Sequence, residues 1–159
     1  MNGHFFGCSL LAFLIGIVVG IRAMTAPMAV SWAARLGRLS LSGTWLAFLG
    51  YAWTPRVLTL LAAGELITDQ LPSTPSRTVP VQFGTRIVMG AVCGAAITAG
   101  GGSMLAGAMM GVAGAVTGTL GGRAFRTRLA AAFGRDRPAA LLEDAIAVGG
   151  AFLTVLASR

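Results

Sequence analysis

The sequence predicts an all-α membrane protein: a polytopic helical bundle of four to six transmembrane spans, with broken or re-entrant helices. Three observations lead there. Of the 159 residues, 55% are apolar and only 11% charged, whereas soluble domains carry about 25% charged residues. The stretch from Ile87 to Gly122 runs for 36 residues without a charge. At about 1.5 Å per residue it would make one helix nearly twice as long as a hydrocarbon core of about 30 Å, so it must fold back. Gly100, Gly101 and Gly102 offer the turn. Finally, all 12 basic residues are arginine, and they punctuate apolar runs as flanking anchors do. The net charge of +7 is read as anchoring and as attraction to anionic lipid head groups, on the order of 1 kcal/mol per well-placed cation. It is not read as a nucleic-acid surface.

The first span runs from about Phe5 to Ile21. It imitates a secretory signal, but it lacks a basic n-region and Pro27 follows the nearest small-residue site, so it is expected to be retained. The apolar run ends in "GIRAMTAP", where Arg22 stops it and Pro27 bars a regular continuation of the hydrogen bonding. Met24 to Gly37 is a helical piece too short to cross, and so re-entrant, interfacial or the second part of a broken helix. "GRLSLSG" is a loop. "TWLAFLGYAW" is an aromatic segment whose Trp45, Tyr51 and Trp53 suit the head-group belt. A helix over 55–71 follows, with Thr54 able to cap it and Pro55 at its first position. Beyond the proline-spaced "PSTPSRT", spans over 83–99 and 103–122 form a glycine-rich hairpin. "GGRAFRTRLAAAFGRDRP" is a basic, amphipathic connector, and 138–157 is the last span. Cys8 and Cys93 lie inside apolar segments and are read as small hydrophobes.

The whole of 1–159 reads as a single transmembrane domain with internal similarity. "VVGIRAMT" at 18–25 is similar to "TLGGRAFR" at 119–126, and "LAAGELITD" at 61–69 to "AALLEDAIA" at 139–147. Two units, 5–71 and 103–157, joined by the span 83–99, would lie in opposite orientations, as in inverted-repeat transporters. Chance similarity in a chain rich in Ala and Gly is the alternative. In a five-span arrangement the positive-inside rule places the N-terminus and the arginine-rich stretch 122–138 in the cytoplasm, with Arg77 and Arg86.

Gly107, Gly111, Gly114 and Gly118 are spaced four, three and four apart and form a stripe on one helix face. Such a stripe lets another backbone approach closely. Intramolecular packing is the expected use; an oligomer interface and a thin-walled ligand path are the alternatives. Gly16/Gly20 and Gly90/Gly94 are further pairs of this kind.

Glu65 and Asp69 share a face of the 55–71 helix, Asp69 near its end and Glu65 deeper. Glu143 and Asp144 lie in the second turn after Pro138. Burying an acid in a span costs about 2.5–3.5 kcal/mol on insertion scales, so Glu65 and Glu143 are expected to face protein or water. Arg22, Arg86 and Arg123 are the natural counter-charges. The functional reading is a polar centre for a cation or proton; the structural one is a set of static ion pairs. In "PSTPSRT", Ser76, Arg77 and Thr78 form a candidate seat for a phosphate or lipid head group, with an ordinary exposed loop as the alternative. His4 is the only histidine and no metal-ligand spacing occurs, so neither an enzyme activity nor a cofactor is expected.

The combination of "GIRA", "GELITDQLPSTPSRT", Arg86 with its Gly-rich span, and "LLEDAIAV" resembles the bacterial integral-membrane family catalogued as domain of unknown function 4126. The resemblance covers nearly the whole chain. Gln70 departs from the Lys usual there. What it implies is a multi-span membrane protein with no established activity; the placement expected for it is the bacterial inner membrane, crossed several times. Together these readings lead to the expectation of a small channel or transporter-like protein for an ion, proton or small polar solute. The alternative is a non-catalytic packing or assembly subunit, or a lipid-binding protein. Anionic lipids, a second copy of the chain or another membrane subunit are the expected partners, and nucleic acid is not.

Overall fold

The computed structural model describes residues 2–68, 79–134 and 136–158. Among them the chain is helical throughout its regular structure: α1 (Asn2–Ile21), α2 (Thr25–Arg35), a 3-10 helix (Trp45–Gly50), α3 (Thr54–Thr68), α4 (Pro80–Thr98), α5 (Met104–Phe133) and α6 (Asp136–Ala157). Among the described residues, three stretches are long and apolar enough to cross a membrane: Pro80–Thr98, Met104–Phe133 and Pro138–Ala157; the apolar part of α1, Phe6–Ile21, is shorter.

Local chemistry accounts for the boundaries. The N–H of Arg22 still bonds the carbonyl of Val18 at 2.8 Å, but α1 stops there. Pro27 falls in the first turn of α2, where a missing N–H costs nothing. The turn between α4 and α5 lies at Gly100–Gly102, and Ser103 opens α5 by accepting the N–H of Ala106 at 3.3 Å. The Thr54 hydroxyl donates to the carbonyl of Phe48 at 2.7 Å, tying the start of α3 to the 3-10 helix.

One expectation fails. The basic stretch after Gly122 is not a connector: α5 continues through Gly121 and Gly122 to Phe133, 30 residues in all, or about 45 Å. It ends at Gly134, whose φ of 64° suits a residue without a Cβ. A glycine pair weakens a helix by about 1 kcal/mol per residue relative to alanine, too little by itself to end one. Arg123, Arg126 and Arg128 are therefore on a helix and not in a loop.

Helices α1, α4 and α5 form the core, with α5 between the other two, and α6 lies against α5 and α1. The glycine stripe of α5 serves both neighbours. A Cβ on Gly107 or Gly111 would strike the backbone of α4 at Gly94 or Gly90, and one on Gly114 or Gly118 would strike that of α1 at Phe13 or Ile17. The glycines opposite are equally constrained: Gly16 meets Gly111, Gly20 meets Ala115, and Gly94 meets Gly107. All four stripe glycines are thus used within the molecule. The remaining layer is α2, packed on α6, α3 and the 3-10 helix. There Trp45, Tyr51 and Trp53 are 67%, 64% and 72% exposed, and the Arg56 guanidinium lies 5.1 Å from the Trp53 ring centre. Exposed rings beside an arginine fit a head-group position.

A candidate charged centre at a helix break

The interruption between α1 and α2 leaves unsatisfied carbonyls at the end of one helix and unsatisfied N–H groups at the start of the next. The partial charges there are negative and positive respectively. Each end receives a side chain of opposite sign from elsewhere in the fold. Arg86, on α4 and 2% exposed, donates from Nη1 to the carbonyl of Gly20 at 2.6 Å and to that of Val19 at 3.4 Å. The Thr119 hydroxyl of α5 lies 3.3 Å from the same Gly20 oxygen. At the start of α2, Glu65 of α3 accepts the N–H of Ala23 on Oε1 at 2.7 Å and that of Met24 on Oε2 at 2.8 Å. The two caps meet, with Arg86 Nη2 lying 3.8 Å from Glu65 Oε1.

Within the break itself, fully buried Arg22 pairs with Asp144 of α6. Asp144 thereby joins the first half of the chain to the last helix. Its neighbour Glu143, 1% exposed, faces Arg126 of α5 at 3.7 Å instead. Adjacent residues on a helix point about 100° apart, so one acidic pair reaches two different cations. Thr25, the first residue of α2, is 1% exposed, and its hydroxyl has no hydrogen-bond partner among the described residues.

Of the candidate residues read from the sequence, Arg22, Glu65, Arg86 and Asp144 come together at the break. Glu143 is held in a pair with Arg126 on the α5–α6 contact. Arg123 is exposed on α5. Asp69, Ser76, Arg77 and Thr78 lie outside the described residues. Arg86, named from the sequence as a counter-charge, is buried against the end of α1 and lies 3.8 Å from Glu65. Sequence reasoning missed Arg126, Thr25 and Thr119. The first lies three residues after Arg123 and about 60° round the helix from it, so only an unbroken α5 sets its direction. The last is next to the "LGGRA" segment already noted. The backbone donors of Ala23 and Met24 leave no mark in a sequence.

Chemically the centre has buried guanidinium groups, carboxylates and helix ends within a largely apolar bundle, and no group of three or more His, Cys, Asp or Glu able to hold a metal occurs among the described residues. Compared with known proteins, the chain matches no family model, no curated protein and no solved structure.

Proposed function

We propose that this chain is a small channel or transporter-like protein of the bacterial inner membrane, working at the charged break between α1 and α2. The observation that carries the reading is the convergence there of Arg22, Glu65, Arg86 and Asp144, from the break itself, α3, α4 and α6. Charged groups inside an apolar bundle are costly and mark ion or substrate pathways. Broken helices whose ends meet charged groups are the usual coordinating device of secondary transporters. Four to six crossings, an inverted repeat of 5–71 against 103–157, and membership of the family catalogued as domain of unknown function 4126 belong to the same proposal. The Arg22–Asp144 pair, which joins the two units, supports it.

A second reading, a packing or assembly subunit or a lipid-binding protein, is favoured by one specific fact: Glu65, Glu143 and Asp144 each already face a cation. Reconstitution in proteoliposomes separates the two. On the transport reading, wild type passes an ion or small polar solute under a gradient. Arg86→Gln would lower that flux by about tenfold or more, a difference of about 1.4 kcal/mol, while eluting as a folded protein in detergent. Absence of flux under every gradient, with stoichiometric copurification of another membrane protein, decides for the second reading.

A further inference from the structure

The glycine contacts fix how the helices are staggered. Gly94 packs on Gly107 and Gly90 on Gly111, so α4 runs antiparallel to α5, and its first residue, Pro80, falls about level with Gly121. Gly16 packs on Gly111 and Gly20 on Gly118, so α1 runs parallel to α5 and ends at Ile21, about level with Thr119. Past Gly122, therefore, α5 has left both of its core neighbours. It continues there with the first turns of α6, where Glu143 faces Arg126. The charged residues of these four helices gather toward that end. Helix α1 has none, α4 has Arg86, α5 has Arg123, Arg126 and Arg128, and α6 has Asp136, Arg137, Glu143 and Asp144 near its start.

Lengths set the depth. Met104 to Gly122 is uncharged and makes about 28 Å of helix, close to a hydrocarbon core of about 30 Å. Arg123 to Phe133 adds about 16 Å. With the uncharged part across the core, Arg123 stands at its edge and Arg128 about 8 Å farther on, within or just beyond the head-group layer. Both are exposed, about 140° apart around α5, on either side of an exposed strip of Leu120, Ala124 and Thr127. From 123 to 143 the sequence holds five arginines against two acids, and one of those acids, Glu143, already faces Arg126. Phe125, 41% exposed, keeps apolar surface among the arginines, which suits a head-group layer and costs free energy in open water. A guanidinium has five N–H donors and matches a phosphate in pairs, so an exposed arginine that also serves a neighbour in the fold retains donors for a phosphate.

We propose that α5 beyond Gly122 is a docking surface for anionic phospholipid in the leaflet at the break end of the bundle. Arg123 and Arg128 hold the head group, and the strip from Leu120 to Ala124 lies against the acyl chains. Docking there does not depend on transport, because the charge of the helix selects the lipid. The test adds phosphatidylglycerol or phosphatidylcholine to the purified protein in a neutral detergent and follows the melting temperature. Phosphatidylglycerol should raise it saturably, and phosphatidylcholine, with matched chains and no net charge, should not. Arg123→Gln with Arg128→Gln should need on the order of tenfold more phosphatidylglycerol, the consequence of losing two well-placed cations. Salt at about 1 M should weaken the wild-type response, since exposed charges are then screened within about 3 Å.

Arg35→Gln with Arg38→Gln removes the same net charge from exposed positions at the end of α2 and should keep the wild-type response. An equal loss in that variant would mean that net charge alone attracts the lipid, and overturns the surface. So does an equal response of wild type to phosphatidylcholine, or no response to either lipid. If the Arg123→Gln, Arg128→Gln variant does not fold, Arg128→Gln is titrated alone. A several-fold weaker response is expected there, and an unchanged one overturns the proposal. A dimer that Arg123→Gln with Arg128→Gln dissolves, with no selectivity between the lipids, gives the face to a second copy of the chain and overturns it as well.

Discussion

Helix α1 makes two contacts of opposite character within about one turn. Gly16 and Gly20 face α5 so closely that an added Cβ at either would collide with its backbone, and no charged side chain is needed there. At the same level the carbonyls of Val19 and Gly20 take the guanidinium of Arg86, and one residue beyond the helix Arg22 pairs with Asp144. In the core, the absence of side chains lets helices touch, and the attraction is dispersion summed over many atoms. At the break, charges neutralise helix ends that nothing else would satisfy. Tight glycine packing thus holds α1 and α4 in place, while the charges select where α3 and α6 dock.

That contrast can be broken at its charged side first. Arg86→Leu would leave the Glu65 carboxylate and the end of α1 without their shared cation. It is expected to cost about 3–5 kcal/mol, the range for removing one partner of a buried pair, measured by denaturant unfolding of the purified protein in detergent. A loss below about 1 kcal/mol, the range of exposed pairs, would mean that the cap contributes little.

The glycine side should respond less, but to a far smaller change. Gly111 receives both neighbours, since Gly16 approaches its carbonyl and its own Cβ would meet Gly90. Gly111→Ala, a single methyl, is expected to destabilise by about 1–3 kcal/mol through overpacking. Gly64→Ala on α3 has open space and should instead be neutral or stabilising by up to about 1 kcal/mol through helix propensity. Equal effects at the two positions in the same unfolding assay would dissolve the distinction between core and periphery.

The smallest net change is expected from replacing a charged pair whole. Asp144→Leu alone removes the carboxylate paired with fully buried Arg22, but Arg22→Leu together with Asp144→Leu should recover most of the loss, because apolar substitutes of similar volume often match a buried ion pair. A double-mutant cycle reads this directly. A double variant no more stable than Asp144→Leu would show that Arg22 has further obligations at the break.

Much of the helical layout was legible. The piece after Arg22, the turn at Gly100–Gly102 and the last span all lie close to where composition and proline placement put them, because such boundaries depend on local backbone chemistry. The course of α5 past Gly122 was not. Glycines and arginines there have the composition of a connector, yet the helix runs on to Phe133. The misreading also left out Arg126, which faces Glu143. Arg86 was legible as a counter-charge, but its bond to the carbonyl of Gly20 at the end of α1 was not, because it depends on where the neighbouring helix lies.

Sequence alone determined that the chain is a largely uncharged helical protein, that its first apolar helix breaks near Arg22, and that its few acids stand where they need partners. Those properties follow from hydropathy, proline geometry and the cost of burying charge, all of which act within a short stretch of chain. Tertiary structure alone decided which partners Glu65, Asp144 and Glu143 have. Glu65 finds two backbone N–H groups, Asp144 finds Arg22 from 122 residues away, and Glu143 finds Arg126. Pairing depends on the rotation and depth of whole helices, and the glycine contacts with α5 set these for α1 and α4 through close approach that no single segment encodes.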